Sequence, residues 1–447
     1  MEQRVSVMEE FVGALLRAGE EELPPEVVHE TRRCLLNVLG TAIGASRSRE
    51  TDALVETGAL LGGAEVIVPG RADSLDRLWA ACAIGFSAHF DDFDDTHLFT
   101  VIHPGAATLG ALYPLALLKD APGPLALRAM ALGVESQLRV GISMSPSHYD
   151  IGWHITGTCG VIGAAVAAGV LLASDLATQL AAIELAANTV GGHREAFGTP
   201  SKPFHAGKAA SNGLLAALLA AAGAEGAPGV FEAEGGYFAA LSDEWSPEVL
   251  SAASVASSWE LLDNTYKPFP CGIVAHPAIE AATGLHAQLG PEPATRIASV
   301  RVGCNPLVVE LMGRPSASTG LEARFCALHG VAVGLLEGAG GLAQFSDERA
   351  TDPVVDALRN RSRLEPDEHF GRESARVTVT LVDGSELVNE VAVASGSSGR
   401  PLTDAQLLDK FTALVEPVLP GRAARLAEAA LSLGEGSSIA DLAAATL

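Results

Sequence analysis

From Val5 to about Leu262, apolar residues recur at spacings of three and four in runs broken by Gly and Pro, which predicts one helix after another. Leu78, Cys82, Gly85, Phe86, His89 and Phe93 form one such stripe. Pro104, Pro203 and Pro277 each precede an Ala- or Leu-rich stretch and mark helix starts, because proline's fixed φ and missing N–H cost nothing in a first turn. After about Tyr266 the period shortens. Arg296–Cys304 and Ala375–Val382 show the β-branched alternation of half-buried strands, and the second continues through Asp383-Gly384 into Ser385–Val393, a hairpin signal. Beyond the Ser/Gly-rich stretch Ser395–Gly399 the helical period returns from Thr403, with Leu407, Leu408, Phe411 and Leu414 on one face. The expected architecture is mainly α. Residues 1–265 and 400–447 form a large helical domain, and residues 266–399 a smaller α/β lid domain.

Composition fits a packed helical interior of small side chains. Of 447 residues, 48% are hydrophobic but only 5% aromatic, so Ala, Leu and Val must fill the core, with Gly allowing helices to approach closely. A net charge of −25 opposes nucleic acid or an anionic membrane as partner. It also requires that any anionic substrate be met by a local cluster of Lys, Arg and His. The first residues carry Glu2, Arg4, Glu9 and Glu10 and read as no signal peptide, and apolar runs such as 160–173 are too short to span a bilayer. Six cysteines without a C-x-x-C pair fit a reducing, cytoplasmic setting and no zinc site.

The chemistry concentrates between His89 and His103, where four carboxylates and three imidazoles fall within fifteen residues. A helix continuing through Thr96 would place His89, Asp92 and Thr96 on one face, with Asp91 and Asp94 at a solvated helix end or cap. His103, His154, Lys202 and His276 each stand just before an apparent helix start, where free N–H groups and the positive end of the macrodipole attract carboxylates and favour neutral imidazole. Converging, such starts would build a polyanion pocket.

These residues resemble a known pattern. Asp92-Phe-Asp-Asp-Thr96 with His103-Pro104, Gly152-Trp-His154-Ile-Thr-Gly-Thr158, Lys202-Pro-Phe-His205-Ala-Gly207, and Tyr266-Lys267-Pro-Phe-Pro-Cys271-Gly with His276-Pro277 stand in the order and spacing of the MmgE/PrpD family. The resemblance implies a helical domain with an α/β lid, a homodimer, no cofactor or metal, and a lyase or isomerase acting on a small polycarboxylate by dehydration, decarboxylation or epimerisation. It places Asp92, Thr96, His103, His154, Lys202 and Lys267 in the active site. His103 and His154 then act as the acid/base pair, Asp92 orients one imidazole, and the two lysines hold substrate carboxylates. His97, His205, Cys271 and His276 are further expected substrate contacts. His329, where relatives commonly carry tyrosine, is another, and Lys208 stands where arginine is common.

Two other readings compete. Asp91-Asp92-Phe-Asp-Asp95 satisfies the D-D-x-x-D pattern with which helical terpene synthases hold Mg²⁺ and diphosphate, although no second acidic motif follows and few aromatics are present to shield a carbocation. A family member that binds a carboxylate without turning it over would keep the same polar positions.

Overall fold

The computed structural model describes residues 6–446, so Glu2 and Arg4 lie outside the described residues. The chain is mainly helical, with one four-stranded sheet near its C-terminal third. No helix is long and apolar enough to cross a membrane among the described residues.

Two helices without a polar face occupy the centre. Every residue of Ile155–Leu171 is buried, and Pro104–Leu118 is buried from Pro104 through Ala116. A helix apolar on all sides must be surrounded by protein. Gly123–Met144, Arg77–Phe90, Ser201–Ala221 and Pro25–Gly44 supply that surround. Two glycines set the closest crossing: a Cβ on Gly207 would fall 2.5 Å from the Cys82 carbonyl oxygen, and one on Gly85 3.1 Å from that of Ala206. The Arg77–Phe90 and Ser201–Ala221 helices thus touch backbone to backbone, and side chains near their ends converge.

The apolar interior divides into two clusters. One runs from Met8 to Tyr266 and is completed by Leu402–Ala445, while the other runs from Cys271 to Leu381. Helix Asp404–Val415, which packs on Pro25–Gly44, starts with a capping box in which the Thr403 hydroxyl accepts from the Gln406 N–H. The second cluster is built on strands ordered Ser362–Pro366, Ile297–Cys304, Ala375–Leu381 and Glu386–Val391, the first pair parallel and the others antiparallel. Helix His276–Leu289 covers this sheet and packs on Ala327–Glu337.

The helix starts at Pro104 and Pro277, the strands within 296–304 and 375–382, and the Asp383-Gly384 hairpin form where the pattern predicts. Two differences matter. Ser362–Pro366 is an edge strand with a largely exposed, charged sequence, so its alternation carries no apolar signal. The helix through His89 stops at Phe90; Asp91 caps it, Asp92 takes φ +49°, and Asp95–His97 is a strand.

Candidate active site

The turn after Phe90 builds the site. Asp tolerates the left-handed region better than most residues, and Asp92 uses it to reverse the chain into Asp95–His97. That strand pairs antiparallel with Asn264–Tyr266, Asp95 opposite Tyr266 and Thr96 opposite Thr265. Residues distant in sequence are thereby fixed side by side, and Lys267 emerges beside Asp92. Its Nζ lies 3.0 Å from Asp92 Oδ2 and donates to the Asp92 carbonyl at 3.0 Å.

Lys202, the second residue of Ser201–Ala221, reaches the same carboxylate from the other side at 2.6 Å. Its ammonium also donates to His89 Nε2 at 2.9 Å and lies 5.4 and 5.5 Å from the ring centres of Phe197 and Phe325. Burial pushes the Asp92 carboxyl up, but the two ammoniums and the neighbouring imidazoles outweigh it and hold Asp92 well below the usual carboxylate range. Burial lowers Lys202, against the raising effect of Asp92.

His103 and His154 cap the two central helices at their N-termini, and the His103 N–H donates to Thr156 Oγ1 in the first turn of the neighbouring helix at 3.1 Å. Burial lowers His103 to about 3 and pushes His154 well down, so both imidazoles are neutral near pH 7. Among the described residues the buried His154 Nε2 has no hydrogen-bond partner, while its Nδ1 lies 3.0 Å from His205 Nδ1.

Asp92, Thr96, His103, Tyr149, His154, Lys202 and Lys267 line one cleft with about 420 Å³ of empty space. Its opposite wall is apolar: Gly272, Ile273, Val274, Leu311, Met312 and Phe325 come from the segment carrying the second core cluster. The charged machinery belongs to one side and the water-excluding roof to the other. Ion pairs join the sides, among them Arg324 to Asp91 at 2.7 Å, Arg194 to Glu310 at 2.5 Å, and Arg400 to Glu280. From the C-terminal helices, the Lys410 ammonium donates to Asn37 Oδ1, the Phe93 carbonyl and the Lys267 carbonyl at 2.7, 2.6 and 2.9 Å.

The remaining expected contacts do not line this cleft. His97 turns to Thr100 Oγ1 at 2.9 Å. The His276 Nε2 faces the Cys271 carbonyl at 3.2 Å, and Cys271 is a buried thiol pushed above its ordinary value by desolvation. His329 lies in the second core, between the Gln344 carbonyl and Arg359. His205 meets the site through His154, whose Nδ1 lies 3.0 Å from its own.

Asp91 and Asp94 are both buried, not solvated, because the early end of the helix folds them inward. Asp94 is fully buried and contacts His89 and His103, whereas Asp92 Oδ1 stands 3.9 Å from His103 Nε2. The carboxylate against the imidazoles is therefore Asp94, and Asp92 serves the lysines. His89 and Asp94 were visible in the dense polar segment, but the helical projection aimed them wrongly; Tyr149 and Lys410 gave no sequence signal. The D-D-x-x-D reading fails on the same geometry. Asp91 pairs with Arg324, Asp92 with two lysines, and Asp95 lies behind the site against Cys34, Asn264 and the Gly105 N–H.

His89, Asp92, Asp94 and His103 offer donor atoms within 4.8 Å of one another, close enough to ligate a cation jointly. Lys202 and Lys267 already neutralise Asp92, and Lys202 occupies the outer nitrogen of His89. A divalent ion would therefore sit against two positive charges, an arrangement suited to an anion instead.

The MmgE/PrpD N-terminal domain model matches residues 13–250 and the C-terminal domain model residues 269–435. Cis-aconitate decarboxylase of Mus musculus is 28% identical over 435 residues, covering 93% of this chain and 88% of the relative. The 2-methylcitrate dehydratases of Cupriavidus necator and Salmonella typhimurium are 27% and 26% identical, covering 83% and 87% of this chain and 82% and 86% of their own. With both domain models matched across most of its length, the chain belongs to the MmgE/PrpD family.

Proposed function

We propose that the protein is a lyase that moves a proton at a carbon beside a carboxylate of a small di- or tricarboxylate. The observation that carries this reading is the cleft itself, where two neutral imidazoles and two paired ammoniums face an apolar roof. A carbon acid beside a carboxylate ionises reluctantly because its conjugate base gathers negative charge. Fixed cations in a dry site stabilise that charge without reorganising. Lys202 and Lys267 supply it, with Asp92 as their counter-ion until a substrate carboxylate shares them. Thr96 and Tyr149 add hydroxyl contacts on the cleft wall. His103 and His154 are placed to take and return protons, and each supplies a factor of roughly 10²–10⁴ when positioned within reach.

The relatives named cis-aconitate decarboxylase and 2-methylcitrate dehydratase support a lyase acting on such acids. Decarboxylation and dehydration differ in the bond that breaks beside the carbanion-like centre, and proton NMR in D₂O separates them. Purified protein is given cis-aconitate, 2-methylcitrate, citrate and iminodisuccinate. Product formation is expected, with deuterium incorporated next to a carboxylate if the step is decarboxylation and an alkene without added deuterium if it is dehydration, and lost in His103→Gln and His154→Gln that still fold. Full turnover in both variants would remove the acid/base assignment.

A further inference from the structure

Behind the cleft, four polar side chains form an unbroken chain. Lys202 Nζ lies 2.9 Å from His89 Nε2, His89 Nδ1 lies 2.7 Å from Asp94 Oδ2, and Asp94 Oδ1 lies 3.1 Å from His103 Nδ1. Hydrogen-bond polarity decides where each proton sits. An ammonium only donates, so His89 Nε2 must accept, and the single proton of that neutral ring is on Nδ1, donated to Asp94. The second Asp94 oxygen is buried, and among the described residues it has no hydrogen-bond partner of good geometry. His103 Nδ1 faces it at 3.1 Å. Thr96 Oγ1, 3.2 Å from the same nitrogen, offers an alternative in which the hydroxyl donates and Nδ1 is bare. That alternative sets a nitrogen lone pair against a buried carboxylate oxygen, and it is the less stable arrangement. With Nδ1 protonated, His103 Nε2 is bare. It faces the cleft 3.9 Å from Asp92 Oδ1, too far for a hydrogen bond.

We propose that Asp94, held by His89 and through it by Lys202, is a positioning residue that fixes His103 in the Nδ1–H form, making Nε2 the seat of the transferred proton. This rests on the lyase reading for its chemical meaning. In the abstracting direction the substrate C–H bond breaks, the electron pair stays on carbon and the proton bonds to Nε2; in the returning direction the Nε2–H bond breaks and carbon receives the proton. Asp94 stabilises the imidazolium present between the two. Asp92, the acid singled out by sequence, has no part in this orientation.

The test is long-range proton–nitrogen NMR of the full-length protein labelled with ¹⁵N-histidine at pH 7, with the His103 signals identified by their loss in His103→Gln. A protonated Nδ1 and a bare Nε2 are expected. In Asp94→Asn, whose amide can turn an N–H toward the ring, the Nε2–H form should appear and kcat should fall by roughly 10²–10⁴-fold with little change in KM, and Asp94→Glu should recover part of the loss. A bare Nδ1 in the unmodified protein, or Asp94→Asn with unchanged tautomer and kcat, would overturn the proposal. If Asp94→Asn fails to fold, the tautomer of the unmodified protein and the Asp94→Glu rates still decide. Absence of turnover on every polycarboxylate beside the expected tautomer would refute the lyase reading and leave the Asp94 assignment standing.

Discussion

Replacing Asp92 by Asn removes one negative charge from between two buried ammoniums while keeping the side chain's shape. The Lys202 and Lys267 contacts are 2.6 and 3.0 Å, and all three side chains are at most 5% exposed. At an effective dielectric constant of 20, each contact has a Coulomb energy of about 6 kcal/mol. Much of that offsets the desolvation of the three charges, and breaking a buried pair costs about 3–5 kcal/mol in practice. Over 447 residues the unfolding entropy is about 0.9 kcal/mol/K near 60 °C, so the loss corresponds to a fall in Tm of roughly 3–5 °C. The direction with pH is equally specific. In the variant Lys202, already lowered by burial, is cationic in the unfolded state but further disfavoured as a cation in the fold without Asp92, so stability should fall further as pH is lowered from 9 to 7. A dicarboxylate such as succinate should raise the variant's Tm more than that of the parent, by restoring an anion between the ammoniums. Thermal unfolding at both pH values, with and without succinate, measures all of this. A variant within 1 kcal/mol of the parent and indifferent to pH would refute the view of Asp92 as the lysines' counter-ion.

Acid should destabilise the protein well before its surface carboxylates protonate. His103 and His276 are lowered to about 3 and His97, His148 and His329 to about 4, each mainly by burial. Below an unfolded value of about 6.5 the unfolded chain takes up protons that the folded one refuses. Each histidine therefore contributes stability that is complete above that pH and lost as pH falls toward 4, roughly 1.5 kcal/mol between pH 6.5 and 5. Asp95, raised to about 7 by burial and then Asp94, acts in the opposite sense, as do Glu30 and Glu135, raised by burial, while His89, His154 and His205 add to the five histidines, all lowered first by burial. Urea unfolding at pH 7 and pH 5 should show a lower midpoint at pH 5, and an equal or higher one would contradict the assignment. His329→Phe removes a partner from the Gln344 carbonyl and should cost about 1–3 kcal/mol in the same assay. Because His329 lies outside the cleft, KM should be unchanged, and a large rise would return it to the substrate's side.

The sequence disclosed the start of Pro104–Leu118 because proline punctuates it, and the position of His103 follows from that; no proline precedes Ile155, and His154 stood out only as a polar residue before an apparent helix start. Lys202 and Lys267 were findable as cations in an acidic chain beside Pro and Phe. The geometry between Phe90 and His97 was not, since periodicity cannot report a single residue at positive φ. That one turn moved Asp94 from an expected solvated cap into the interior and gave Asp92 a different partner set. His329 shows the converse: a polar residue on an apolar face was a satisfied core histidine, its hydrogen bonds supplied by Gln344 and Arg359 from outside its own helix. Such pairings depend on tertiary packing that no local pattern encodes.

Lys410 gives the site a position in time as well as in space. Its ammonium is the donor for the main-chain carbonyls of Phe93, in the loop after Asp92, and of Lys267, just beyond the strand Asn264–Tyr266. A ribosome delivers that donor after every residue that lines the cleft. The scaffold of earlier helices can form during translation, but the two cleft segments lack their tie until the segment around residue 410 has emerged and docked on Pro25–Gly44. A nascent chain stalled before that point would carry every residue of the cleft without the donor that ties its two segments together.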